Sequence, residues 1–154
     1  MELLRNLKVD SVARLGPTPA RLIEAVKPVS TAVALMREHG TGCLLVVRAN
    51  KVVGIFTERD LLVKVIAGRL PPNVPIAEVM TANPVTVSPA DPVRTAVKRM
   101  QQGGYRHLPV VSEDGSPIGT LSAKRIVHYL AEHYPTTVYA LPDPNDIPET
   151  AEGA

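Results

Sequence analysis

Thr57 and Asp60 stand three positions apart where Gly54-Ile55-Phe56-Thr57 gives way to Glu58-Arg59-Asp60. If a strand ends and a helix begins there, the two side chains lie one turn apart on the same side. A carboxylate so placed can accept two hydrogen bonds from the paired hydroxyls of a ribose. The same spacing is also the signature of a helix cap, in which hydroxyl and carboxylate satisfy orphan backbone donors. A second group is cationic. Arg106 and His107 precede the run Leu108-Pro109-Val110-Val111, and Lys124 follows Ser122 by two positions. Arginine grips phosphate oxygens bidentately, whereas lysine serves as a point charge. Brought together, the two groups would suit the sugar and phosphate of a nucleotide.

Whether they meet depends on the elements that carry them, and these occur twice. Pro28 to Met36, Gly40, Leu44 to Val47 and Gly54 to Asp60 return as Pro92 to Met100, Gly104, Leu108 to Val111 and Gly119 to Arg125. The offset is 64 residues as far as Val47/Val111 and 65 from Gly54/Gly119, so one connecting turn has gained a residue. Each copy reads as a short strand (Ala20 to Ile23; Val85 to Val87), a helix, a hairpin and a final helix. Pro28 and Pro92 suit a first helical position, Asp91 sits where a cap belongs, and Gly40 or Gly103-Gly104 ends the helix. The final helices are expected from Thr57 to about Ala67 and from Ser122 to about His133. At roughly 60 residues neither copy buries much core alone, so both should fold as one unit about a pseudo-twofold axis with a cleft between them.

These joints, namely Pro84-Val85-Thr86-Val87-Ser88-Pro89, the Ala-Val-x-x-Met helices, Leu108-Pro109-Val110-Val111 and Gly54 to Asp60, make the chain resemble a tandem pair of CBS domains, the cystathionine-β-synthase type, from about Val9 to His133. The resemblance implies an α/β fold of two β-α-β-β-α repeats and a cleft that binds adenosine-type ligands as a sensor, not a catalyst. It further implies that Asp60 holds ribose hydroxyls, that Thr57 lies near base or phosphate, and that Arg106, His107 and Lys124 contact phosphate. Ile55 and the strand containing Val85 and Thr86 are candidate walls for the base, positions that serve equally well as plain core.

The copies differ where the chemistry should be. Gly42 and Cys43 replace Arg106 and His107, and Arg125 replaces Asp60. One competent site is therefore expected, with its symmetry mate empty, blocked or differently used. AMP is the foremost ligand expected, with ADP or ATP as alternatives, and no cofactor is required. Self-association into a homodimer through Leu61, Leu62, Val65, Ile126, Val127 and Leu130, or action on a separate effector protein, would provide output. A ligand-free scaffold or adaptor is the alternative.

Composition narrows other classes. A net charge of +2 gives no strong electrostatic footprint for nucleic acid, and 3% aromatic residues argue against a base-stacking platform, so nucleic acid is not the partner expected. No apolar run approaches the roughly 18 residues of a membrane span, so a soluble cytoplasmic protein is expected. Cys43 is alone and reads as a small buried hydrophobe. His128 and His133 are five apart, the wrong spacing for two metal ligands on one helix face, and Arg94, Lys98 and Arg99 read as a basic surface. No nucleophile triad or phosphate loop appears, so no enzyme is expected. The expected organisation is a lead-in over residues 1–14, repeats at 15–70 and 76–134, a proline-stiffened linker at 71–75 and a mobile tail at 135–154.

Overall fold

Repetition in sequence becomes repetition in backbone, with an exchange. The computed structural model describes Arg5, Leu7, Lys8 and residues 10–134; the expected tail at 135–154 lies outside the described residues. In the first repeat a 3-10 turn, Val12–Leu15, precedes strands β1 (Thr18–Pro19) and β2 (Leu22–Glu24), helix α1 (Val29–His39) and the hairpin β3 (Cys43–Arg48) and β4 (Lys51–Thr57). The final helix opens as α2 (Glu58–Asp60) and continues as a π-helix, Leu61–Ile66. In the second repeat α3 (Ile76–Val79) and β5 (Thr81–Ala82) lead to α4 (Val93–Gly103), the hairpin β6 (His107–Val111) and β7 (Pro117–Ser122), and α5 (Ala123–His133).

Two sheets result, with strand orders β2-β3-β4-β5 and β1-β7-β6. β1, from the first repeat's lead-in, pairs with β7, while β5, from the second repeat's lead-in, pairs with β4. The preceding turns follow the same exchange. Val12 and Leu15 are buried with Val93, Leu108, Leu121 and Ile126, whereas Ile76 and Val79 are buried with Val29, Leu44, Phe56 and Val65. Each lead-in thus completes its sibling's core.

Helix ends follow the sequence closely. α1 and α4 bury matching stripes, Val29, Ala32 and Met36 in one and Val93, Ala96 and Met100 in the other. Both stop at glycines in the left-handed region, Gly40 at φ 59° and Gly104 at φ 67°. Pro28 and Pro92 occupy the cap instead of the first helical position expected of them, and the helices begin one residue later. Asp91 does not cap α4 as expected. Its carboxylate accepts the Ser88 N–H at 2.8 Å and pairs with Arg99 at 3.3 Å, closing the turn before the helix. The expected strand Ala20 to Ile23 is shifted to Leu22–Glu24. Its second-copy counterpart reduces to one parallel bridge, Val87 with Val110.

The first hairpin turns through Ala49 and Asn50, both at positive φ (50° and 60°), in keeping with a two-residue turn whose twist matches its strands. The second turn carries the extra residue. It projects far enough for Gly115 O to accept the Val52 N–H at 3.1 Å and for Asp114 and Ser116 to meet Lys51 Nζ at 2.8 and 3.2 Å. Lys51 and Ser116 are equivalent positions, so their meeting marks the pseudo-twofold axis. β3 is buried on both faces: Leu44 and Val46 face the helices, while Cys43 and Leu45 join Ile55 on the other side. There β4 approaches β6.

Candidate functional site

Each hairpin is bonded to the helix that follows it. The Glu58 N–H donates to Gly42 O at 3.0 Å, and the Ala123 N–H donates to Arg106 O at 2.9 Å. The second bond places Arg106 and His107 beside the start of α5, where Lys124 lies. Arg106 and Lys124 are exposed and His107 is half-buried. The predicted cationic group is therefore assembled at one corner of the second repeat.

Thr57 and Asp60 form a full capping box. Thr57 Oγ1 accepts the Asp60 N–H at 3.3 Å, and Asp60 Oδ2 accepts the Thr57 N–H at 3.0 Å and its hydroxyl at 3.2 Å. Oδ1 accepts the Thr81 hydroxyl at 3.2 Å and pairs with Lys64 Nζ at 2.9 Å. With 6% exposure, the Asp60 carboxylate carries four donors from within the chain. Arg125, at the equivalent position, has a related mechanical role: its Nε donates to Leu15 O at 2.8 Å. Both positions tie a final helix to a lead-in segment that crosses between the repeats.

The first repeat also places an acid near the cations. The Glu58 carboxyl group lies over Gly42, where a Cβ would approach it within 3.1 Å, and its charge acts on His107 of the second repeat. Burial holds the His107 imidazole below its ordinary 6.5, Glu58 pulls it upward and Arg106 adds to the lowering. Cys43 is driven up to about 12, chiefly by burial and then by the charge of Asp60, so its thiol stays protonated and inert.

The expected walls are less coherent. Ile55 is 7% exposed on the face between the repeats. Val85 instead leans on the second repeat's core, and the Thr86 carbonyl accepts Arg99 Nη1 at 2.6 Å. Two open concavities, about 530 Å³ along Arg94, Lys98, Arg99 and Gln102 and about 260 Å³ between β2 and α1, lie apart from Asp60.

Sequence pattern alone assigns no site role to Glu58, Lys64 or Thr81. The four-residue spacing of Asp60 and Lys64 was a readable signal for an ion pair. Thr81 carries none, because only strand exchange brings it to Asp60.

The family model of the CBS domain matches residues 20–67 and 76–132. An uncharacterised protein from Methanopyrus kandleri is 36% identical over 129 residues, 80% of this chain, which spans 63% of that relative's length. Among solved structures, a Burkholderia ambifaria protein with CBS domains superposes with a TM-score of 0.73 at 30% identity, covering 81% of this chain and 96% of that one. The CBS domain protein PAE2072 of Pyrobaculum aerophilum, solved complexed with AMP, superposes with a TM-score of 0.71 at 23% identity, covering 80% and 99%; at that identity the likeness is one of fold. Among the described residues no helix is long and apolar enough to cross a membrane.

Proposed function

As the chain belongs to the CBS domain family, we propose that its inter-repeat cleft binds an adenine nucleotide, AMP before ADP or ATP, and that occupancy regulates self-association or a separate effector protein. What supports this reading is that the helix start bearing Thr57 and Asp60 comes from one repeat and the cations Arg106, His107 and Lys124 from the other, while Glu58, on that same helix start, is near enough to His107 for its charge to act on the imidazole. Asp60 Oδ2 stays with the cap. Oδ1 exchanges Thr81 and Lys64, both residues with exposed surface, for the ribose hydroxyls. The base lies against Ile55 and the segment through Val85 and Thr86. The fold of the AMP-bound Pyrobaculum protein supports testing AMP first. Regulation by binding, not turnover, fits the family and the protonated Cys43. Of the contacts expected for self-association, Val65 and Ile126 are buried in the repeats' own cores and Leu61 and Leu130 pack against those cores, which leaves Leu62 and Val127, joined by exposed Val63 and Ile66, as apolar surface for it.

Calorimetric titration with AMP, ADP and ATP tests the reading. Asp60→Asn keeps an acceptor for the cap but removes the charge, and is expected to weaken AMP about 10- to 100-fold, the range for losing hydrogen bonds to a charged group. Equal affinity in wild type and Asp60→Asn removes Asp60 from the site. One observation favours a second reading, a ligand-free scaffold: all four Asp60 interactions are already internal. Absence of binding by any of the three nucleotides selects it.

A further inference from the structure

We propose that Glu58 limits the negative charge the cleft accepts, so that adenosine ligands with one phosphate or none are held in preference to those with two or three. This rests on the cleft being the adenosine site. The two repeats build the same joint in opposite ways. Where the second has a long cation just before the strand and a small residue on the helix, Arg106 with Ala123, the first has glycine just before the strand and a long anion on the helix, Gly42 with Glu58. Gly42 leaves room for the acid to lie close, since the carboxyl carbon stands 3.1 Å from where a Cβ would be. A glutamate in the first helical turn needs no such arrangement to favour the helix dipole. This one is bonded through its N–H to Gly42 O, its carboxyl group lies over Gly42, and its charge reaches His107 of the other repeat.

The charge balance at that corner then differs from the sequence count of three cations. Arg106 and Lys124 each contribute one positive charge, and His107, held below its ordinary value, is neutral at pH 7. Glu58 subtracts one, while Asp60 is offset by Lys64. A single phosphate monoester, which carries about −2 at pH 7, more than matches what remains. Each added phosphate brings further charge toward Glu58. At separations of about 7 Å in a water-exposed cleft, each added unit charge costs roughly threefold in affinity. The symmetry-related joint has Cys43 and Ala123 at these places and bears no such bias.

The test is titration of wild type and Glu58→Gln with 5′-methylthioadenosine, AMP, ADP and ATP at low salt without magnesium. Wild type is expected to bind AMP at least as tightly as ATP. Glu58→Gln is expected to improve ATP about three- to tenfold relative to AMP, to leave 5′-methylthioadenosine unchanged, and to lose part of the gain as salt is raised. An unchanged ATP to AMP ratio, or an equal loss for all four ligands, overturns the role of Glu58 while leaving the adenosine site intact. Failure of wild type to bind any of the four overturns the site itself.

Discussion

His107 is the residue at which protonation and folding meet. Burial holds its imidazole below 6.5, against an opposing pull from Glu58. The unfolded chain therefore takes up this proton first as pH falls. The stabilisation is fully present above about 6.5 and is lost as pH drops through the depressed folded value. Thermal melts of wild type and His107→Gln across pH 5 to 8 are expected to show a steeper acid-side decline in wild type; parallel curves would mean the imidazole titrates as it does in water. Asp60 teaches a different lesson about what a residue discloses. Thr-x-x-Asp predicted either a cap or a sugar hook, and the structure contains the cap in full. The hook stays a proposal because spacing along a helix specifies which groups face each other, not which donors a carboxylate exchanges.

At the scale of elements, what the sequence disclosed was local. Apolar stripes, terminal glycines and hairpin turns depend on neighbours within a few residues, so α1, α4, α5 and both hairpins were readable. The exchanged strands were not. β1 and β5 are two residues long and exposed throughout, too short for alternation to emerge, and their partners lie in the other repeat. One trace was nevertheless present, in the paired glycines Gly54 and Gly119. Each lies opposite a crossing strand, Gly54 against Ala82 and Gly119 against Pro19. A Cβ on Gly119 would stand 2.7 Å from the Thr18 carbonyl oxygen, whereas one on Gly54 would stand 2.3 Å from Met80 Sδ and no nearer to backbone than 3.1 Å, at the Thr81 carbonyl oxygen. Backbone cannot step aside as a thioether can. Gly119→Ala is therefore expected to cost about 1–3 kcal/mol and to exceed Gly54→Ala, measured by urea unfolding. The reverse order would show that β1 is held more loosely against β7 than β5 is against β4.

For the whole molecule the exchange decides whether two repeats are two domains. Leu15 is 1% exposed, and its neighbours are Val93, Leu108, Leu121 and Ile126 of the second repeat. Val79 is 2% exposed among residues of the first. Neither core is closed without a turn from the other copy's lead-in, and Arg125 and Asp60 each fix such a segment by hydrogen bonds. A deletion inside one core should then be felt in both. Leu15→Ala leaves a cavity in the second core and is expected to cost about 2–5 kcal/mol. The informative readout is hydrogen exchange resolved along the chain. If the molecule unfolds as a unit, protection falls by the same factor in β3 of the first repeat as in β6 of the second, because both open only through global unfolding. Loss confined to β6 and β7, with β3 and β4 unchanged, would make the repeats independent domains. A cleft built between independent domains could open without unfolding either, so this measurement also bears on whether occupancy of the cleft stabilises the whole chain.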